Sequence, residues 1–287
     1  MKTLVIGGTG TVGSLVVQGL LARNEPVHVL TRSAEKAKEL PKGTQAVVGD
    51  LTKPEDLEKI FHGVERVFML NPVSMTEAHE GLSAVNQAQA AKVKRFVYMT
   101  VHNVTAAPHM PHFGSKIPIE LALKASGIPY TILQPNNFYQ NDYAFKDAIL
   151  QYGVYPQPIG DIGISRVDAR DIADAAVITL TQNGHEGQTY PLVGPDVLTG
   201  ARVAEIYSKH LGRPIAYGGN DLEAWQKQTL NFLPAWMVYD FKLMYRAYQE
   251  KGLIATADEL SRLQKLLGHP LRTFDAFAAE MAKAWVR

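Results

Sequence analysis

Four glycines directly follow the first short apolar run of this chain, and their spacing restricts the fold more than any other feature. The opening residues, Met1–Leu15, read MKTLVIGGTGTVGSL. Thr3–Ile6 is long enough for one buried strand. Gly7, Gly8, Gly10 and Gly13 come next, and Ser14–Ala22 continues as an apolar, helix-compatible segment. Strand, glycine turn and helix in that order predict a dinucleotide-binding unit. A residue without Cβ lets the backbone turn tightly and lets a pyrophosphate approach, while the helix behind offers free N–H groups and the positive end of its dipole. Two registers fit, Gly8-x-Gly10-x-x-Gly13 and Gly7-x-x-Gly10-x-x-Gly13, and both stay open here. The alternative is a plain glycine-rich turn. Gly7, Thr9, Gly10, Thr11 and Val12 are the candidate phosphate-facing positions.

The second apolar run, Pro26–Leu30, leaves through Thr31-Arg32-Ser33. An acid at that exit would bind the ribose 2′-OH and repel a 2′-phosphate; an arginine attracts the phosphate. Arg32 therefore favours NADP over NAD, unless it is only a solvated loop residue. Gln45–Val48 is a third strand candidate, closed by Gly49-Asp50-Leu51. Asp50, with Leu51 beside it, sits where ligands of open α/β sheets collect and could meet the adenine. It could equally cap the helix begun at Pro54, although Thr52 is better placed as that cap. Arg66–Leu70 is a fourth strand, whose exit places Leu70, Asn71 and Pro72 beside the cofactor. Ala78–Lys92 is helical, and Arg95–Thr100 is a fifth strand ending at Thr100. Such alternation predicts an α/β fold, a Rossmann-type doubly wound parallel sheet.

The motifs GGTGTVGS, LTRS, GDL and ASGIPYTILQP, with DARDIADAA (Asp168–Ala176) and YPLVGPDVLTGARVAEI (Tyr190–Ile206), resemble the NmrA-like branch of the atypical short-chain dehydrogenase/reductases. The resemblance spans nearly the whole chain and is nearest the NAD(P)H-dependent triphenylmethane and quinone reductases. It implies the fold and the cofactor class. It leaves activity open, because the branch holds both reductases and non-catalytic redox sensors. By that resemblance Lys116 has the position of the lysine that holds the nicotinamide ribose. The residue four before it, a tyrosine in ordinary short-chain reductases, is His112. His112 could serve as the proton donor, or line a loop without chemical part. Pro118 is tolerated only in a first helical turn, which predicts a helix beginning at Ser115 as N-cap, with His112 in the loop before it and Lys116 directed to the cofactor. Loss of the tyrosine weighs against alcohol dehydrogenation more than against reduction of a conjugated acceptor, whose reduced anion can take its proton from solvent.

The sixth strand, Tyr130–Gln134, exits into Pro135-Asn136-Asn137-Phe138, which the resemblance places over the nicotinamide. Tyr139 and Tyr143 are the candidate acceptor contacts, with core packing as the alternative. Residues 1–153 are read as the NAD(P)-binding domain. Residues 154–287 are read as a mixed region, with about 162–193 returning to the sheet (a strand at Ile162–Val167, a helix at Asp171–Leu180, a strand at Thr189–Val193). A smaller helical substrate lobe spans about 195–287. A helix is expected at Ala201–Leu211 with Thr199 as cap, and a short strand at Pro214–Tyr217. Breaks in the helical tail are expected at Pro234, Gly252 and Gly268-His269-Pro270. The aromatic cluster from Trp225 to Tyr248 reads as helical packing or a subunit interface ahead of a substrate lid.

Composition closes several routes. The 287 residues contain no cysteine, which excludes disulfides and thiol chemistry, and a formal charge of +1 gives no electrostatic case for nucleic acid or an anionic membrane. No apolar run reaches membrane-spanning length and no signal pattern precedes the first strand, so a cytoplasmic protein is expected. His109-x-x-His112 lacks an acidic third ligand, so no metal is expected. The expected function is NADPH-dependent reduction of a quinone or similar aromatic acceptor, with a homodimer as a compatible assembly. A non-catalytic NAD(P)-binding sensor with a protein partner is the alternative.

Overall fold

The structure, a computed structural model, describes residues 1–286. Its backbone falls into two compact units. The first comprises Met1–Pro135, Ala169–Leu192 and Lys265–Gly268; the second comprises Asn136–Asp168, Val193–Gln264 and the chain from His269 on.

The first unit is built on seven parallel strands. In chain order the first six are β1 (Thr3–Ile6), β2 (Val27–Thr31), β3 (Thr44–Val48), β4 (Arg66–Met69), β5 (Arg95–Met99) and β6 (Tyr130–Pro135). The seventh is Gln188–Leu192, and the spatial order is β3-β2-β1-β4-β5-β6-seventh. Every residue of β1 and β4 is buried, as expected where helices cover both faces of a sheet, whereas the edge strand β3 is half open. After β1 the chain builds outward through β2 and β3, then returns to place β4 on the other flank. Ligands of open α/β sheets collect beyond the strand ends at such a reversal.

Helix α1 (Thr11–Leu21) buries Val12, Gly13, Val16, Val17 and Leu20, a helical stripe. It lies against the helix Ala169–Thr181, so closely that a Cβ on Gly19 would stand 2.9 Å from Val177 Cγ2. That partner comes from DARDIADAA and is buried nearly all round.

The second unit departs from expectation at Ile162–Val167, which forms no sheet strand. Ile164 instead makes isolated bridges to Leu198 and Leu253, and Val167 to Phe138. A two-stranded ribbon joins Val154–Tyr155 to Ala216–Tyr217. The helices Gly200–Leu211, Leu222–Thr229, Ala235–Lys251, Ala257–Leu267 and Phe274–Trp285 follow. Their breaks fall at the expected residues: Pro234 precedes one helix, and Gly252 and Gly268 adopt positive φ. Thr199 caps its helix by accepting from the Arg202 N–H at 3.1 Å. Among the described residues, no helix is long and apolar enough to cross a membrane.

Candidate dinucleotide and acceptor site

At the end of β1 the backbone turns through Gly7 at φ +83°, and the Gly10 N–H donates to the Gly7 carbonyl at 3.0 Å. Packing dictates three of the four glycines. A Cβ on Gly7 would lie 2.4 Å from the Leu70 carbonyl oxygen, one on Gly8 2.7 Å from Val29 Cγ1, and one on Gly13 2.1 Å from the Gly7 carbonyl oxygen. Gly10 differs. It is exposed at φ −91°, and a Cβ there would meet only the Gly7 oxygen, at 3.4 Å. It is also the N-cap of α1, where a serine or aspartate would add a hydrogen bond that glycine forgoes. Nothing in the fold requires glycine at this position, so the turn leaves open space in front of the first helical N–H groups. Thr9 and Thr11 are exposed beside it and Val12 anchors the helix in the core.

Leu70 and Asn71 follow β4, adjacent to this turn. Asn71 is buried, yet neither polar atom of its amide has a hydrogen-bond partner among the described residues. A buried amide left unmet costs about 1–3 kcal/mol, so its donor and acceptor are available to a polar ligand. The exposed Gly10 and the open amide of Asn71 fit a dinucleotide. Pro72 is exposed.

Arg32 is exposed at the exit of β2. Asp50 Oδ1 accepts from the Thr52 N–H at 2.9 Å and its hydroxyl at 2.8 Å. These bonds hold the Asp50 carboxyl below its usual range, with a lesser contribution from the Arg32 charge. The expectation that Thr52 caps the next helix is therefore corrected. Lys53 is the N-cap and forms no side-chain bond, because the Thr52 hydroxyl is turned back onto Asp50. Leu51 is buried in the core. Thr100, at the end of β5, is buried, and its N–H donates to the Leu133 carbonyl at 2.8 Å.

The neighbourhood of Lys116 differs most from the sequence reading. A helical turn begins earlier, at Pro111, and runs through His112 to Gly114, with Ser115 in helical conformation before the helix Lys116–Ala125. Pro111 occupies the first turn, and the Ser115 hydroxyl donates to the His112 carbonyl rather than capping. His112 is thus in a helical turn, buried, with its ring edge-on to Phe113. The side chain of Lys116 is only 5% exposed, and its ammonium is hydrogen-bonded to Glu77 Oε1. Glu77 is fully buried and its Oε2 has no hydrogen-bond partner among the described residues. Burial pushes the Glu77 carboxyl up, against the pull of Lys116. Burial, with the Glu77 and Glu120 charges, holds the Tyr98 phenol well above its usual range.

Pro135 ends β6 in the first unit; Asn136, Asn137, Phe138, Tyr139 and Tyr143 belong to the second. There Arg166, wholly buried, ties the segment down. Its Nε donates to Asn137 Oδ1 at 3.0 Å and its Nη2 to the Phe138 carbonyl at 2.6 Å. Asn136 Nδ2 donates to the Leu253 carbonyl at 2.9 Å. Asp142 Oδ1 receives Arg166 Nη2 at 2.7 Å, and Asp142 Oδ2 receives the Tyr207 hydroxyl at 3.0 Å. Tyr139 is fully buried against Phe274 and Phe277, as its core-packing alternative has it; Tyr143 is 47% exposed. Sequence reasoning missed Glu77, Tyr98 and Arg166. Glu77 opens an alanine-rich helix where an acidic first turn reads as an ordinary solvated terminus. Arg166 stands in an irregular loop where no periodicity marks burial.

The model of the NmrA-like family matches residues 1–278. The chain is 37% identical over 286 residues to an NAD(P)H azoreductase of Xenophilus azovorans, covering 98% of both chains. Its backbone superposes with a TM-score of 0.85 on the triphenylmethane reductase of Citrobacter sp. complexed with NADP(H), at 26% identity over 98% of this chain and 99% of that one. It superposes with a TM-score of 0.86 on an NADPH-dependent quinone oxidoreductase of Escherichia coli complexed with NADPH, at 25% identity over 99% and 100%.

Proposed function

Because this chain belongs to the NmrA-like family, we propose that it is an NAD(P)H-dependent reductase whose acceptor is a quinone or a similarly conjugated aromatic molecule, with NADPH the preferred donor. The observation that carries the reading is Gly10, an exposed glycine that no contact in the fold explains, standing at the N-terminus of α1.

A bound dihydronicotinamide would supply the hydride. The chain's own residues do the rest. The first N–H groups of α1, at Thr11 and Val12, receive the pyrophosphate, with Gly7, Thr9 and Gly10 giving it room. Arg32 attracts a 2′-phosphate through a charge-assisted hydrogen bond, which sets the preference for NADP. Asn71 supplies its open amide, and Asp50, Leu51, Leu70, Pro72 and Thr100 line the strand ends. Pro135, at the end of β6, completes the cofactor surroundings in the first unit. Lys116 holds the ribose or steadies the acceptor's developing negative charge, with His112 as a nearby proton source. A quinone-type acceptor suits this equipment, because its reduced anion is delocalised and needs no strong acid in the protein.

The test is stoichiometric. Anaerobic mixing of the protein with NADPH and a quinone, azo dye or cationic dye should consume one NADPH per two electrons gained by the acceptor, and none without acceptor. Tight NADPH binding with no acceptor reduced across such a panel would overturn the reading and leave a dinucleotide sensor.

A further inference from the structure

Lys116 stands at the wrong end of its helix. The first turn of a helix carries the positive end of the dipole, which disfavours an ammonium, and a nearly buried ammonium without a counter-charge is costly besides. Its partner Glu77 opens the helix Glu77–Ala90, where the same dipole favours a carboxylate. The two helices meet one turn further along, where Gly81 lets Ile119 in. A Cβ on Gly81 would lie 2.2 Å from Ile119 Cδ1 and 2.6 Å from Ile119 Cγ1. Glu77 is four residues before Gly81 and Lys116 three before Ile119, so this close apolar contact fixes the register in which the charges meet. The Glu77 carboxylate has one oxygen on Lys116, and the other has no hydrogen-bond partner among the described residues. Its orientation is therefore set first by Lys116, with the Ser115 hydroxyl and the His112 ring as the other polar groups beside it.

We propose that Glu77 is a positioning residue for Lys116: it holds the buried ammonium in one place, so that the remaining N–H donors of Lys116 are presented in fixed geometry to the bound dinucleotide or acceptor. The proposal rests on the part given to Lys116 above. Glu77 itself touches neither ligand, so its effect passes wholly through Lys116.

A double-mutant cycle tests it. Glu77→Gln, Lys116→Met and the double variant are compared with the wild type for NADPH affinity by calorimetry, for kcat and KM with a quinone, and for Tm without ligand. Lys116→Met should lower NADPH affinity or kcat by roughly tenfold or more, and Glu77→Gln should reproduce part of that loss. In the Lys116→Met background Glu77→Gln should change neither quantity by more than about twofold, within the additivity of independent sites. Glu77→Asp, which keeps the charge, should recover part of the loss, and it serves as the second variant if Glu77→Gln does not fold. Equal losses from Glu77→Gln with and without Lys116, or no loss while Lys116→Met is impaired, would overturn the proposal and leave the reductase reading intact. An unimpaired Lys116→Met would remove Lys116 from the site, and this proposal with it, while wild-type turnover would still decide the reductase reading.

Discussion

The carbonyl oxygen of Gly7 stands 2.1 Å from where a Cβ on Gly13 would project, whereas a Cβ on Gly10 would clear the same oxygen by 3.4 Å. One carbonyl thus separates two kinds of glycine in one motif. Gly13 is required by the packing of α1 against the turn, whereas no contact in the fold requires Gly10, which the proposed function leaves to the approaching cofactor. Gly13→Ala should destabilise the protein by about 1–3 kcal/mol, read as a fall in Tm without ligand. Gly10→Ala should leave that Tm within about a degree or two, since surface changes stay near ±0.5 kcal/mol, and weaken NADPH binding measured by calorimetry. A Gly10→Ala protein that binds NADPH normally would remove the loop from the phosphate site.

On the proposed function, Arg32 sets the preference for the phosphorylated cofactor. Arg32→Asp should weaken NADPH by about tenfold or more, as a lost charge-assisted hydrogen bond of about 1.5–3 kcal/mol requires. NADH affinity should hold or improve, because the new carboxylate can accept from a free ribose 2′-OH. Unchanged relative affinities in a fluorescence titration would place Arg32 outside the site.

The contact of Gly81 with Ile119 sets the spacing of two helices. Gly81→Ala inserts a methyl group at 2.2 Å from Ile119 Cδ1 and should cost about 1–3 kcal/mol of stability. Ile119→Val, combined with it, should recover part of the loss by removing Cδ1, the nearest of the atoms in conflict. A Gly81→Ala variant as stable as wild type in urea would show that the helices separate freely.

In the second unit, Arg166 and Asp142 are both fully buried and paired at 2.7 Å. Burial pushes the Asp142 carboxyl up against the pull of Arg166, so neither group is comfortable alone. Arg166→Met should destabilise by about 3–5 kcal/mol, because it strands Asp142 and frees the Asn137 side chain and the Phe138 carbonyl. Replacing both residues, as Arg166→Met with Asp142→Leu, should be milder than the single change in a urea titration. A single variant near wild-type stability would contradict the role of the pair as the anchor of this segment.

The sheet was legible because its signals are local. Apolar runs such as Thr3–Ile6 and Arg66–Leu70 alternate with helical segments, and glycine, proline and threonine punctuate the ends at Gly7, Pro234, Gly252 and Thr199. Ile162–Val167 is misread because alternating aliphatic residues within IGISRV report burial, not sheet membership; its backbone pairs singly with Leu198, Leu253 and Phe138. Ser115 is the N-cap of the helix Lys116–Ala125 as expected, although without a side-chain cap bond, while His112 leaves its expected loop because Pro111, another first-turn proline, starts a helical turn four residues earlier. The Glu77–Lys116 and Arg166–Asp142 pairs join residues 39 and 24 apart in the chain, so only the folded packing brings them together.

On the proposed function, this chain passes reducing equivalents from NADPH to a conjugated acceptor through a site that includes Lys116. The most direct measurement is the loss of NADPH absorbance on adding quinones, azo dyes and cationic dyes to the purified protein and to Lys116→Ala. The account predicts acceptor-dependent NADPH loss in the wild type and a fall of about tenfold or more in kcat/KM in the variant, if Lys116 carries even a modest part of the transition-state stabilisation. NADPH bound tightly by both proteins, with no acceptor reduced by either, would contradict it.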